Sequence, residues 1–160
     1  MKVPFFLLTV LLLTTQCGSS GNSGSSNSNK AIDLTPVKGY FVKNTTEDSG
    51  NTQCFVFTGP EKFSEVCGTA ATMSSKPDTP DFKTDLLIAI VGTSTDRPTT
   101  INIAGSRLEK NILTVDISED KTDEVLSYTM RPLTLVSAKK DGVKKVIIKK
   151  GGQEIFSSDI

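Results

Sequence analysis

The sequence contains no histidine and no tryptophan, and its 18 basic residues are balanced by 18 acidic ones. Without histidine, the chain lacks the commonest general base and the commonest metal ligand, which excludes Ser-His-Asp, Cys-His and zinc-hydrolase chemistry. A net charge of zero argues against a nucleic-acid-binding protein, which needs a basic face to displace counterions from phosphates. We therefore expect a protein that is not an enzyme, with no catalytic residue, no metal site, no cofactor and no nucleic-acid partner.

Carboxylates are concentrated in one short stretch, at Asp116, Glu119, Asp120, Asp123 and Glu124. The stretch lacks the D-x-D-x-D-G spacing and the bidentate glutamate of a calcium loop. Glycoside hydrolysis by paired carboxylates would need a sugar cleft lined by aromatic side chains, and the chain has only two tyrosines. We interpret the stretch as a solvated turn between two strands.

The N-terminal residues have the composition of a targeting segment followed by a tether. Residues 1–16 contain Lys2 and an apolar run too short to span a bilayer, which predicts a secretory signal peptide. The next residue, Cys17, resembles the lipidation site of Bacteroidetes-type bacterial lipoproteins. Residues 18–29 are only Gly, Ser and Asn, a composition typical of a flexible tether.

We therefore expect an extracytoplasmic lipoprotein that is anchored in a membrane through the lipid on Cys17, with the membrane face left open. Residues 17–29 would be the lipidated cysteine and its disordered tether, and residues 30–160 a single domain. The alternative is ordinary signal-peptide cleavage near Cys17, which would leave a soluble secreted protein.

If Cys17 carries lipid, Cys54 and Cys67 remain as an even pair in an oxidising compartment, which favours a disulfide. Cys54 lies in a predicted strand and Cys67 at the end of a short predicted helix that doubles back, so the two sulfurs could meet. The alternative is two separately buried thiols, since a free cysteine is often a small core residue.

The domain is predicted to be mainly β, with about eight short strands and one short helix near residues 60–67. Pro60 suits the first turn of this helix and Gly68 is expected to end it. Residues 86–91 are apolar throughout, which predicts a strand covered on both faces, and residues 125–130 are predicted to be another strand. Short strands at short spacing favour a β-sandwich or a partly open barrel.

Two turn signals follow near the C-terminus. Asp141-Gly142 predicts a hairpin between a strand near Leu135 and one at residues 143–149, and Gly151-Gly152 predicts a second hairpin. Six lysines surround the first turn: Lys139, Lys140, Lys144, Lys145, Lys149 and Lys150. They indicate either a surface for glycans or anionic lipids or a hairpin that lysines keep from edge-to-edge pairing.

Several short motifs between Gly39 and Glu154 carry a family resemblance. They are Phe41-Val42-Lys43-Asn44, Lys62-Phe63 through Cys67-Gly68-Thr69-Ala70, Asp81-Phe82 and Ser127-Tyr128-Thr129-Met130-Arg131-Pro132-Leu133. Together they resemble a group of small Bacteroidetes lipoproteins that look like the protease-stabilising PrcB C-terminal domain. More distantly, the group is similar to the chagasin-type cysteine-protease inhibitors.

This resemblance implies an immunoglobulin-like antiparallel β-sandwich in which three loops at one end enter the cleft of a protease. The partner-binding residues it implies are Arg97, Pro98, Thr99 and Thr100, which match the first inhibitor loop, and Arg131, Pro132 and Leu133, which match the third inhibitor loop. Ile101-Asn102 stands where the inhibitors have Gly-Tyr. Leu133 replaces a tryptophan, so that aromatic anchor is missing.

The expected function is therefore a lipid-anchored, non-enzymatic and monomeric binding module of the bacterial cell envelope, with an envelope protease or another envelope protein as partner. The alternative is an accessory lipoprotein that binds glycan or anionic lipid through the lysine-rich hairpin. Arg131-Pro132 also has a purely structural interpretation, as a bend where proline ends one strand ladder.

Overall fold

The structure is a computed structural model that describes residues 30–70 and 76–160. The predicted signal peptide, Cys17 and the tether lie outside the described residues. Eleven strands and one helix are present in the described part. The strands are β1 (Lys30–Ala31), β2 (Thr35–Pro36), β3 (Tyr40–Val42), β4 (Gln53–Phe57), β5 (Cys67–Thr69), β6 (Asp85–Val91), β7 (Thr99–Glu109), β8 (Ile112–Lys121), β9 (Leu133–Lys139), β10 (Lys145–Lys150) and β11 (Gln153–Asp159). The helix α1 (Pro60–Val66) lies between β4 and β5.

The strands are arranged in three sheets. Sheet A has the order β1-β7-β8-β10-β11, sheet B has the order β2-β9-β6-β4, and β3 pairs with β5 alone. Sheets A and B enclose the main core, while α1, β3 and β5 contribute side chains to a second core on the other face of sheet B. The predicted mainly β sandwich with one short helix is confirmed, and the described strands form no closed barrel.

Strand β6 explains why residues 86–91 are apolar without interruption. Its side chains alternate between the two faces of sheet B. Leu86, Ile88 and Ile90 lie in the main core, whereas Leu87 and Ala89 lie in the second core. Both faces of the strand are covered, as the sequence predicted.

The hairpin predicted at Asp141-Gly142 does not form. β9 belongs to sheet B and β10 to sheet A, so this turn carries the chain from one sheet to the other. Val143, just after the turn, is buried in the main core, and a simple hairpin would forgo that burial. As a result β10 runs parallel to β8, with Lys145 opposite Ile112, which is an exception to the expected antiparallel pairing.

The second predicted hairpin is present. β10 and β11 are antiparallel, with Lys150 opposite Gln153. Gly151 and Gly152 both have positive φ, 58° and 81°, as a two-residue turn of the type I′ class requires.

Two further local predictions were wrong. Residues 125–130 form no strand, and only an isolated bridge joins Met130 to Thr95. Gly68 does not end the helix, because α1 ends at Val66 and Gly68 lies within β5. A Cβ atom at Gly68 would lie 2.6 Å from the ring of Phe41, so close packing explains this glycine.

The two ends of β7 define the two ends of the sandwich. The strand starts at Thr99, next to the connection from β6, and Lys30 of β1 pairs with Leu108 near its other end. At 3.3 Å per residue, Thr99 and Leu108 are about 30 Å apart. The described chain therefore starts at the end of the sandwich opposite to the β6–β7 connection.

Candidate binding site at the loop end

Three connections meet at one end of the sandwich, which we call the loop end. Loop 1 is residues 43–52 between β3 and β4, loop 2 is residues 92–98 between β6 and β7, and loop 3 is residues 122–132 between β8 and β9. The Arg-Pro pairs that begin the two sequence motifs, Arg97-Pro98 and Arg131-Pro132, lie in loops 2 and 3. The structure therefore brings both motifs to the same end.

Asp48 connects loop 1 to loop 2. Its carboxylate accepts hydrogen bonds from the backbone amide of Ser94 at 2.9 Å and from that of Gly50 at 3.0 Å. Hydrogen bonding from Ser94 and from the Gly50 amide lowers the pKa of Asp48 to about 2. These bonds favour the charged carboxylate, which is therefore ionised in the connection between the two loops at neutral pH.

Arg131 connects loop 3 to loop 1. Its guanidinium donates to the carbonyl oxygen of Thr46 at 2.7 Å and to the side-chain oxygen of Gln53 at 2.7 Å, with a longer contact to the carbonyl oxygen of Glu47 at 3.4 Å. Its Nε atom is buried and has no hydrogen-bond partner among the described residues. The side chain that the resemblance assigned to a partner is thus engaged within the fold.

Loops 2 and 3 are held together by backbone pairing. Thr95 and Met130 exchange two amide-to-carbonyl hydrogen bonds, of 2.9 and 2.8 Å, and the Leu126 amide donates to the Asp96 carbonyl oxygen at 2.6 Å. The Gly92 amide donates to the carbonyl oxygen of Pro132 at 2.9 Å. With these bonds and those of Asp48 and Arg131, each loop is tied to the other two.

Gly92 is required where loop 2 meets the Arg-Pro motif of loop 3. A Cβ atom at this position would lie 2.5 Å from Cγ of Pro132. Pro132 is buried, so little of its surface is open to a partner. Its position agrees with the structural interpretation of Arg131-Pro132 as a bend before β9.

Arg97 is held more loosely than Arg131. Its guanidinium lies 3.5 Å from the fully exposed carboxylate of Asp123, a surface ion pair that contributes little to stability. Its backbone is fixed, because its amide donates to the Thr95 hydroxyl at 3.1 Å and its carbonyl oxygen accepts from the Thr99 hydroxyl at 3.0 Å.

Five of the seven predicted partner-binding residues line one shallow cleft of about 280 Å³. They are Thr99, Thr100, Arg131, Pro132 and Leu133. The cleft is completed by Tyr40, Phe41, Ile101, Met130 and Thr134. Arg97 and Pro98 do not line it. The cleft is too shallow and open to suggest a small-molecule site, and its place at the loop end suits contact with a protein surface.

The partner-binding residues that the resemblance implied do not include the most exposed apolar side chains of this end. Val125 and Tyr128 of loop 3 are each 62% exposed, and Phe41 at the rim of the cleft is 48% exposed. Tyr128 was part of the family motif, but it lies in residues 125–130, where the predicted strand is absent. That absence depends on tertiary structure and could not be read from the local pattern.

The expected Cys54–Cys67 disulfide is not present in the structure, where both cysteines are buried free thiols. Cys54 lies in the main core and Cys67 in the second core, on opposite sides of sheet B. Burial raises the pKa of Cys54 to about 12 and that of Cys67 to about 11. Both thiols are therefore protonated and poorly nucleophilic at neutral pH.

The six lysines of the predicted hairpin do not share one hairpin surface, because β9 and β10 belong to different sheets. Lys139 pairs with Asp85 and Lys150 with Glu119, each at 2.6 Å. The Lys140 ammonium donates to backbone carbonyl oxygens of Thr58 and Phe82. Half of these lysines are thus occupied by contacts within the fold.

Comparison with protein-family models, curated proteins and solved structures found no match to this chain. In the part of the chain that the structure describes, no helix is long and apolar enough to cross a membrane. Residues 30–70 and 76–160 also contain no group of three or more side chains that could hold a metal ion.

Proposed function

We propose that this protein is a lipid-anchored, non-enzymatic binding module of the bacterial cell envelope, and that its loop end binds another envelope protein. The observation that carries the proposal is that the three loops are hydrogen-bonded to one another through Asp48, Arg131 and the Thr95–Met130 pair. Loops that are already ordered lose little conformational entropy on binding. A rigid loop cluster with exposed apolar side chains has the properties of a preorganised protein-binding surface.

The position of Lys30 supports an orientation of the domain relative to the membrane. Lys30 lies at the end of β7 remote from Thr99, so a lipid on Cys17 would hold the opposite end of the sandwich towards the membrane. The loop end would then face away from the bilayer, towards a partner in the envelope.

A protease is the first partner class to test. This choice rests on the resemblance of Arg97–Thr100 and Arg131–Leu133 to two loops of the chagasin-type inhibitors. Its support in the structure is that both motifs lie at the loop end and contribute to one cleft. The engagement of Arg131 and the burial of Pro132 shift the expected contact towards Thr99, Thr100, Leu133 and the exposed part of loop 3.

The proposal can be tested by immobilising residues 30–160 and passing an extract of the cell envelope over them. All the buried core residues described lie between Val42 and Ile148, so this part contains the whole described core. We expect specific retention of a protein, which mass spectrometry would identify. If no protein is retained, the proposed function is wrong.

The anchor is tested separately with Cys17→Ser in the full chain. If Cys17 is lipidated, the variant should move from the membrane fraction to the soluble fraction while its folded domain is unchanged. Intact mass should also show an acylated Cys17 at the N-terminus of the mature wild-type protein. A wild-type protein that is soluble and starts at another residue would leave an ordinary secreted domain instead.

A further inference from the structure

Tyr128 and Val125 are highly exposed and lie in a loop whose backbone is hydrogen-bonded on both sides of Tyr128. Each is 62% exposed, although both belong to loop 3, which is tied down on both sides of Tyr128. On one side the Leu126 amide bonds to the Asp96 carbonyl oxygen, and on the other side Met130 pairs with Thr95. A large apolar side chain on a fixed backbone is the usual form of an interface anchor, because its burial costs little ordering entropy.

Acidic side chains outnumber basic ones in the three loops. The three loops contain five carboxylates and three cations, and all three cations are engaged. Lys43 donates to the Ser64 carbonyl oxygen, Arg97 pairs with Asp123, and Arg131 bonds to the Thr46 carbonyl oxygen. Among the described residues, no ion pair involves the exposed carboxylates of Glu47, Asp96 and Glu124.

We propose that Tyr128 is the anchor of the loop-end interface, and that it enters an apolar depression on the partner whose rim carries lysine or arginine. This inference rests on the proposed function and gives it a partner chemistry. The ring of Tyr128 would fill the depression beside Val125, while its hydroxyl stays near the polar rim. Cationic groups on the partner would face the carboxylates of Glu47, Asp96 and Glu124 and would speed association.

The test uses the protein retained from the envelope extract, purified and titrated against residues 30–160. The first variant is Tyr128→Ala, with Tyr128→Phe as the conservative form. The matched control is Ile160→Ala, which removes an apolar side chain that is 44% exposed. Ile160 lies at the other end of the sandwich, where its amide bonds to the carbonyl oxygen of Lys144, next to the β7–β8 turn.

The proposal predicts that Tyr128→Ala weakens binding by about 30-fold or more, the loss typical of an interface anchor. Tyr128→Phe should retain most of the affinity, and Ile160→Ala should bind within about twofold of the wild type. Because Tyr128 is largely exposed, the unfolding midpoint of both Tyr128 variants should match that of the wild type.

The rim is tested with Glu124→Lys against the control Asp141→Lys, which reverses an exposed charge in the β9–β10 turn. We expect Glu124→Lys to slow association about tenfold at low salt, and the difference to shrink towards high salt as the charges are screened. Asp141→Lys should leave association unchanged. Faster association of Glu124→Lys, or no change, would contradict a cationic rim.

The outcomes separate the inference from the function on which it rests. If a partner is retained but Tyr128→Ala binds it within about twofold of the wild type, the inference is overturned and the proposed function stands. If the wild type retains nothing, both are overturned. Retention alone does not support the inference, which requires the losses in Tyr128→Ala and Glu124→Lys together with unaffected controls.

Discussion

The guanidinium of Arg131 donates a 2.7 Å hydrogen bond to the backbone carbonyl oxygen of Thr46, 85 residues earlier in the chain. This bond joins loop 3 to loop 1, so the arginine of the Arg-Pro motif acts as a connection within the loop end. A part-buried carbonyl oxygen that loses its donor costs free energy. The same residue therefore couples the stability of the domain to the geometry of the proposed binding surface.

Replacing Arg131 with alanine should lower the free energy of unfolding by about 3 kcal/mol, because two good hydrogen bonds from a charged group are lost. Urea denaturation of residues 30–160 measures this loss. The matched control is Arg107→Ala, which removes an exposed arginine 3.5 Å from Asp116 and should cost less than about 1 kcal/mol. Equal effects of the two variants would show that Arg131 is not a structural connection.

Asp48 gives the loop end a defined response to acid. Its pKa in the fold is about 2, below the ordinary value of 3.8, so its contribution to stability is complete above pH 3.8 and is lost as the pH falls towards 2. Asp48→Asn should be less stable than the wild type at neutral pH, and the gap should close in that pH range. Thermal unfolding of both proteins across the range measures it, and a gap that stays constant with pH would contradict this assignment.

The contact between Gly92 and Pro132 predicts a packing defect. Gly92→Ala would place a Cβ atom 2.5 Å from Pro132, and overpacking of this kind should destabilise the domain by about 1–3 kcal/mol. Gly105→Ala is the control, since nothing lies within 4 Å of a Cβ atom there. The two variants should therefore separate clearly in urea denaturation. A harmless Gly92→Ala would mean that Pro132 can move away freely.

The two buried thiols should be chemically silent until the domain unfolds. Because burial raises the pKa of both Cys54 and Cys67, residues 30–160 should react very slowly with an alkylating reagent under native conditions. Under denaturing conditions without reductant, mass spectrometry should show both thiols labelled. An unlabelled protein after unfolding would instead indicate the disulfide expected from the sequence.

Much of the fold follows from local patterns because those patterns reflect burial. Residues 86–91 are apolar throughout since β6 contributes to both cores, and Gly151-Gly152 closes a hairpin because both residues need positive φ. Asp141-Gly142 gave the same kind of signal but a different outcome. Val143 is buried between the two sheets, so the chain crosses the sandwich here. The local turn sequence gives no sign of this long-range contact.

The candidate site was predictable in part for the same reason. The two Arg-Pro motifs lie at the same end of the molecule, but the roles of their residues depend on distant partners. The acceptors of Arg131 are Thr46 and Gln53 in and beside loop 1, and no spacing rule connects them to it. The segment that holds Val125 and Tyr128 looked like a strand because its residues are apolar or β-prone, but in the described part of the chain only its Met130 forms a bridge, to Thr95.

The most direct test of the account is site-specific photo-crosslinking of the full chain in its own cell envelope. A photoreactive phenylalanine analogue would replace Tyr128 in one variant and Ile160 in another, so that the probe sits at opposite ends of the sandwich. We expect an abundant crosslink to one protein from position 128, with little or none from position 160. Crosslinks that arise mainly from position 160, or equally from both positions, would contradict the claim that the loop end is the binding surface.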